Sequence, residues 1–404
     1  MTSSAPQSRP HALARAALVA MLGAFAGSAS AQPRHEVPSL GVRVSLHSDV
    51  LDEERELWIW TPAGYSASGP AMPVVFLLDP ETHFRHATAV VDFLARYLRM
   101  PEAIVVGVLT PSRARDFTPA SGDGSATSGG AAPFLRFLTE EAAPLVERTH
   151  RASGFRILVG HSLGGLFATY AAFREPSAFG AVVALSPSLY WADSLALRSA
   201  RSALSGGGPL PRFLYVGMGE REQPRIAATT RALVASLAGA DTTRLSWTSR
   251  EFEGENHLTV PLPALRHALA WLFADWPFSI DGVADRIARG GTLAPLDEHF
   301  TRLSARYGYA AEPAELAFSM VGDRLYRGRH FELAIELFAR RVAAYPESPE
   351  AHDELARGYE AAGRLDLAVA SFDRAWTLAR AQSHPSLGAI AERRDRARAA
   401  LEPR

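Results

Sequence analysis

Between about residues 42 and 276, short apolar runs alternate with stretches of helical spacing. Glu56-Leu57-Trp58-Ile59-Trp60 alternates polar and apolar positions like a half-buried strand. Val74-Val75-Phe76-Leu77-Leu78 is apolar throughout, as a strand covered on both faces must be. Residues 103–109, 155–159, 181–185 and 213–217 repeat that signature, and residues 245–252 read as a further strand. Residues 87–98, 134–147 and 262–273 carry helical periodicity. The alternation predicts an α/β fold with a mostly parallel central sheet, helices on both faces, and chemistry gathered at the carboxyl ends of the strands.

Past Pro277 the strand signals stop. Residues 281–314 read as a linker, and residues 315–404 as a small all-α, tetratricopeptide-like region. Phe318, Gly322, Leu325, Ala334, Phe338 and Pro346 recur against His352, Ala356, Tyr359, Ala368 and Phe372. The pairs Ala334/Ala368 and Phe338/Phe372 are offset by about 34 residues, the tetratricopeptide period. Two repeats are fewer than usually stand alone, so they are expected to pack on the preceding domain or on another copy of it. Their role is either a docking surface for a protein partner or a structural appendage. The Gly/Ser/Ala-rich stretch 119–133 is either a surface insertion or a lid over the site.

The N-terminus has the form of a secretory signal peptide over residues 1–31. Arg9, His11 and Arg15 precede a short apolar stretch, 16–25, and Ala29-Ser30-Ala31 is an A-x-A cleavage site. Cleavage after Ala31 predicts a periplasmic or secreted protein; an uncleaved anchor or a misplaced start is the alternative. The α/β domain, over 32–280, would follow. Composition narrows the function: 404 residues, 47% hydrophobic, a formal net charge of -1 and no cysteine. The near-neutral charge gives no case for nucleic acid, and the missing cysteines exclude disulfides, thiolate metal sites and cysteine nucleophiles. No metal or nucleotide motif is present, so no cofactor is expected. No second apolar stretch approaches transmembrane length, so the mature chain is expected to have no membrane span.

The chemistry centres on Val159-Gly160-His161-Ser162-Leu163-Gly164-Gly165. A buried strand, then G-x-S-x-G, then an apolar helix start is the nucleophile elbow of an α/β-hydrolase. Ser162 is the expected nucleophile. His257, on a loop after the last strand, is the expected general base, because a serine hydroxyl needs one to take its proton. The acid should follow the penultimate strand: Glu222 first, Glu220 second, Asp193 a remote third. Leu163 and Glu81 are the expected oxyanion donors, Pro80 having no N–H. His161 is expected to shape the elbow and the substrate wall. His267 falls within a helix, and His83 and His86 precede the nucleophile, the wrong order for the base.

With these motifs the chain resembles the Putative esterase family of α/β-hydrolases. That family includes S-formylglutathione hydrolase-like enzymes, feruloyl esterases, mycobacterial mycolyltransferases and siderophore trilactone esterases; the chain is most similar to the last branch. The resemblance runs over roughly residues 40–275, through Leu77-Leu78-Asp79, Arg115-Asp116-Phe117-Thr118-Pro119, the elbow, Ser186-Pro187-Ser188-Leu189-Tyr190-Trp191 and Gly254 to His257. The chain carries Asp79-Pro80 where many relatives carry Asp-Gly. The resemblance implies Ser162 as nucleophile, His257 as base and Glu222 as acid. It also implies Tyr190 and Trp191 stacking on an aromatic or acyl group, and Arg115 meeting an acidic or polar one; a local Arg115–Asp116 ion pair is the alternative. The implied activity is hydrolysis of a small-molecule carboxylic ester. Acyl transfer on the same machinery, or a non-catalytic scaffold using the repeats, are the other readings.

Overall fold

The structure is a computed structural model that describes residues 40–121 and 127–401. The expected signal peptide and the tip of the 119–133 stretch lie outside the described residues. Among the described residues, eight strands form one sheet: β1 (Val42–Ser48), β2 (Glu53–Trp60), β3 (Met72–Leu78), β4 (Ile104–Val108), β5 (Ala152–His161), β6 (Ala181–Leu185), β7 (Phe213–Arg221) and β8 (Ser246–Asn256). Their order is β1-β2-β4-β3-β5-β6-β7-β8. β1–β2 and β2–β4 pair antiparallel, and every later pair is parallel.

The central strands are apolar because both faces are covered. β3 sends Val75 and Leu77 into one core and Val74, Phe76 and Leu78 into the other; Phe213 and Tyr215 of β7 likewise oppose Leu214 and Val216. Helices Pro80–Arg96 and Pro261–Leu272 pack on the first face, and helix Leu163–Arg174 on the second. The helix expected over 134–147 is present but π-wound at Phe137–Ala142, between Ala131–Arg136 and Ala143–Thr149. Pro144 supplies no N–H to the α-helical ladder, and the wider turn absorbs the gap.

The stretch 281–314 is not a linker. It folds as helices Ile280–Gly290 and Ala294–Tyr307, and Val283, Ile287, Phe300, Leu303 and Tyr307 share the core of the sheet's first face. Helices Glu315–Arg327, Phe331–Ala344, Pro349–Ala361, Leu365–Ala381 and Leu387–Leu401 follow, each packed on the next. Ala334 and Ala368, and Phe338 and Phe372, occupy matching buried positions in alternate helices. Gly322 lies so close to the Phe338 ring that a Cβ would enter it.

This helical part meets the amino-terminal edge of the sheet. Phe155, near the start of β5, packs on Tyr307 and Tyr309 with ring centroids 5.5 and 6.0 Å away. Arg212, just before β7, donates to the Ala305 carbonyl at 2.7 Å.

Candidate active site

At the opposite edge, β5 ends in a sharp turn at Ser162, whose φ of 60° and ψ of −116° are strained for a residue with a side chain. Three main-chain bonds hold it there. Ser162 N–H donates to the Leu185 carbonyl (3.0 Å), and the Ser162 carbonyl accepts from Leu166 (2.9 Å) and Ser188 (3.0 Å). Only glycine fits at position 160, where a Cβ would strike the Gly164 carbonyl. The turn thus lifts the hydroxyl clear of the sheet.

His257 follows the last residue of β8. Asn256 Oδ1 accepts the N–H groups of Leu258 (2.9 Å) and Thr259 (3.2 Å), which fixes the turn that carries the imidazole. His257 Nε2 lies 3.0 Å from Ser162 Oγ, and Nδ1 lies 3.1 Å from Glu222 Oε2. The Glu222 side chain is fully enclosed and also accepts from Gln223 N–H at 2.7 Å. Carboxylate, imidazole and hydroxyl therefore stand in line: Nδ1–H donates to Glu222, and Nε2 is left to accept from Ser162. Glu220 instead accepts from Gly254 N–H (2.9 Å), tying β7 to β8, and Asp193 is an exposed partner of Arg198.

The hydroxyl opens on a cavity of about 470 Å³ lined by Asp79, Glu81, Thr82, His83, Thr110, Arg113, His161, Ser162, His257 and Leu258. A larger cleft, about 700 Å³, lies at the other edge of the sheet among Arg151, Phe300, Phe318 and Arg340, and contains none of this chemistry. Leu163 opens helix Leu163–Arg174 and Glu81 is the second residue of helix Pro80–Arg96, so neither N–H has an acceptor inside its own helix. The two helix starts adjoin: a Cβ on Gly164 would lie 3.1 Å from Asp79 Oδ2. Both helix N-termini favour negative charge there.

His161 is buried, and its ring sits between those of His83 (5.4 Å) and His257 (4.6 Å). Burial, with His257 and His83 nearby, pulls its pKa down to about 3. Burial and His86 pull His83 down to about 4. Asp79 is raised by burial, against the opposing pull of Arg113, which grips it through Nε (2.5 Å) and Nη2 (3.0 Å).

Three expected substrate contacts fall elsewhere. Arg115 does not line the cavity; its guanidinium forks onto Glu53 (2.6 and 2.9 Å) and bonds Asp116 (2.7 Å). Trp191 donates its indole N–H to the Pro119 carbonyl (3.2 Å), and Tyr190 lies under the Arg225 guanidinium at 5.7 Å. Neither ring lines the cavity. From the same segment the buried Ser188 approaches the nucleophile, its Oγ 3.5 Å from that of Ser162. The sequence reading missed Arg113, Asp79 and Ser188. Arg113 and Arg115 stand two apart in the one-turn helix Arg113–Phe117, so they face different ways.

Sheet order, elbow and polar cavity define an α/β-hydrolase. The Esterase family profile, described as "Putative esterase", matches residues 48–259, more than half of the chain, and the chain belongs to that family of ester hydrolases. It is 32% identical over 233 residues to the ferri-bacillibactin esterase BesA of Bacillus subtilis, covering 50% of this chain and 77% of that protein. It is 34% identical over 190 residues to a siderophore enterobactin esterase of Emericella nidulans, covering 41% of this chain and 62% of that one. Among solved structures, an IroE-like serine hydrolase from Shewanella oneidensis matches with a TM-score of 0.63 and 27% identity, over 74% of this chain and 98% of that one. Among the described residues, no helix is long and apolar enough to cross a membrane.

Proposed function

We propose that the chain is an exported serine hydrolase that cleaves carboxylic esters through an acyl-enzyme. The observation that carries this reading is the line of Ser162 Oγ, His257 and Glu222, with both heavy-atom gaps at hydrogen-bond distance. Ser162 Oγ attacks the ester carbonyl while His257 Nε2 takes its proton, and Glu222 stabilises the resulting imidazolium. The oxyanion faces the N–H groups of Leu163 and Glu81. His257 returns the proton to the leaving alkoxide, and water then releases the acyl group by the same steps.

The cavity favours a polar ester. Its walls carry Arg113, Asp79, Glu81, Thr82 and Thr110, and apolar contact is offered mainly by Leu258, which is 80% exposed at the rim. A siderophore ester, as named for the Emericella nidulans relative, fits these polar walls better than a long acyl chain. The A-x-A pattern at Ala29-Ser30-Ala31 supports export. The helices from residue 315 onward are taken as a tetratricopeptide-like region added to the esterase body.

Fluorophosphonate labelling with parallel hydrolysis of p-nitrophenyl esters and a cyclic trilactone tests the mechanism. Wild type should label and turn over, and Ser162→Ala should do neither while keeping its circular dichroism spectrum. Turnover by Ser162→Ala at the wild-type rate would end the reading.

A further inference from the structure

His161 and His257 are far apart in sequence, yet one hydrogen bond joins them. The His161 ring nitrogen Nε2 lies 2.8 Å from the main-chain carbonyl oxygen of His257. A carbonyl only accepts, so Nε2 carries the hydrogen. We propose that His161 is a positioning residue: by donating this hydrogen to the main chain of the base, it ties the His257 turn to the nucleophile elbow. The inference rests on the serine-hydrolase reading given above and assigns a further residue to it.

The geometry gives this bond unusual leverage. His161 is the residue immediately before Ser162, whose backbone is already fixed by Leu185, Leu166 and Ser188. His257 lies beyond the end of β8, in a turn held locally by Asn256, whose side-chain and main-chain oxygens accept from Leu258, Thr259 and Val260 and whose N–H donates to Thr259 Oγ1. The His161 bond therefore connects the side chain of the nucleophile's neighbour directly to the main chain of the base. With it in place, few torsions separate Ser162 Oγ from His257 Nε2. A displacement of about 1 Å between reacting groups can cost on the order of 10²-fold in rate.

The same bond argues against a substrate contact. A neutral imidazole has one N–H, and here it is spent on the protein. Burial keeps the ring neutral near pH 7, with its pKa drawn down to about 3. Neutrality also matters for the reaction, because the His161 ring centroid is 4.6 Å from that of His257. A charged neighbour there would oppose the imidazolium that forms during each acyl-transfer step.

Two variants of similar shape separate the hydrogen bond from packing. His161→Gln keeps an N–H near the position of Nε2, and His161→Met has none. Kinetics on a p-nitrophenyl ester and the rate of fluorophosphonate labelling are measured for both in the full chain. The Met variant should lose about 10–100-fold in kcat and in labelling rate with KM within about threefold, and the Gln variant should recover most of that loss. Equal loss in both variants would mean that the ring acts by packing, and the proposal falls. It falls as well if both stay within twofold of wild type, or if the Met variant changes KM alone. Should the Met variant not fold, ring nitrogen NMR of the wild type decides: a neutral Nε2–H form of His161 is required between about pH 5 and 8, and an Nδ1–H form overturns the proposal. Failure of the underlying reading is distinct, because wild type itself would then not label.

Discussion

The Glu222 carboxylate and the His257 imidazole meet at 3.1 Å although the glutamate side chain is wholly enclosed. A buried carboxylate in this place dictates which imidazole nitrogen carries the hydrogen, and so leaves the other free to accept from Ser162. Glu222→Gln is close in shape but can present its amide N–H to Nδ1, favouring the wrong tautomer. We expect kcat to fall by about 10²–10⁴-fold with little change in KM. Steady-state kinetics check it; a loss below threefold would remove Glu222 from the reaction.

Arg115 is expected to matter for stability rather than for substrate. Arg55 and Asp116, both buried, form an ion pair that Arg115 and Glu53 extend. Arg115→Met leaves Asp116 with Arg55, so the loss should be modest, about 1–2 kcal/mol in urea unfolding, given that Arg115 is one-third exposed. KM for any ester should stay within twofold. A severalfold rise in KM at unchanged stability would restore Arg115 to the substrate site.

The two matched phenylalanines should behave differently. Phe338 lies in the same apolar cluster as Val75 of the sheet, whereas Phe372 belongs to a separate small cluster with Ala356, Ala368 and Ala397. Phe338→Ala should cost about 3–5 kcal/mol and lower the temperature at which esterase activity is lost. Phe372→Ala should loosen the outer helices and leave that temperature nearly unchanged. Calorimetry alongside residual activity distinguishes them; identical shifts in activity loss would contradict the division.

Acid should weaken the fold through two buried histidines. His83 and His161 ionise near 4 and 3 in the folded chain, against 6.5 as the ordinary value. Below about pH 6.5 the unfolded chain binds protons that the native chain refuses, so stability falls as pH drops. The slope approaches about 1.4 kcal/mol per pH unit for each histidine, and the effect vanishes above about pH 7. Asp79 acts oppositely, since burial raises its carboxyl and the native chain takes that proton first. Urea midpoints at several pH values should decline toward pH 5, less steeply in His83→Gln. Equal slopes in variant and wild type would refute the assignment.

Much of this arrangement could be read from sequence. The apolar runs located the covered strands, and a strand before G-x-S-x-G with a histidine after the last strand brought Ser162, His257 and Glu222 onto one edge. What escaped depended on direction rather than on residue type. Arg113 faces the cavity and Arg115 a buried carboxylate, a distinction that helical phase sets and a loop-like reading loses. Trp191 looked available for stacking, but its indole N–H was claimed by Pro119 from a distant segment. The helix Ile280–Gly290 had a legible signal in Ile280, Val283, Ala284 and Ile287, spaced for one helix face behind a Ser279 cap.

Arg151, just before β5, borders the cleft beneath the helical part, and Ser162 stands just past the strand's other end. The 10 residues of β5 at about 3.3 Å each put roughly 30 Å between them. A bulky group seated in that cleft would therefore stand a full strand length from the mouth of the enzyme and leave it unobstructed.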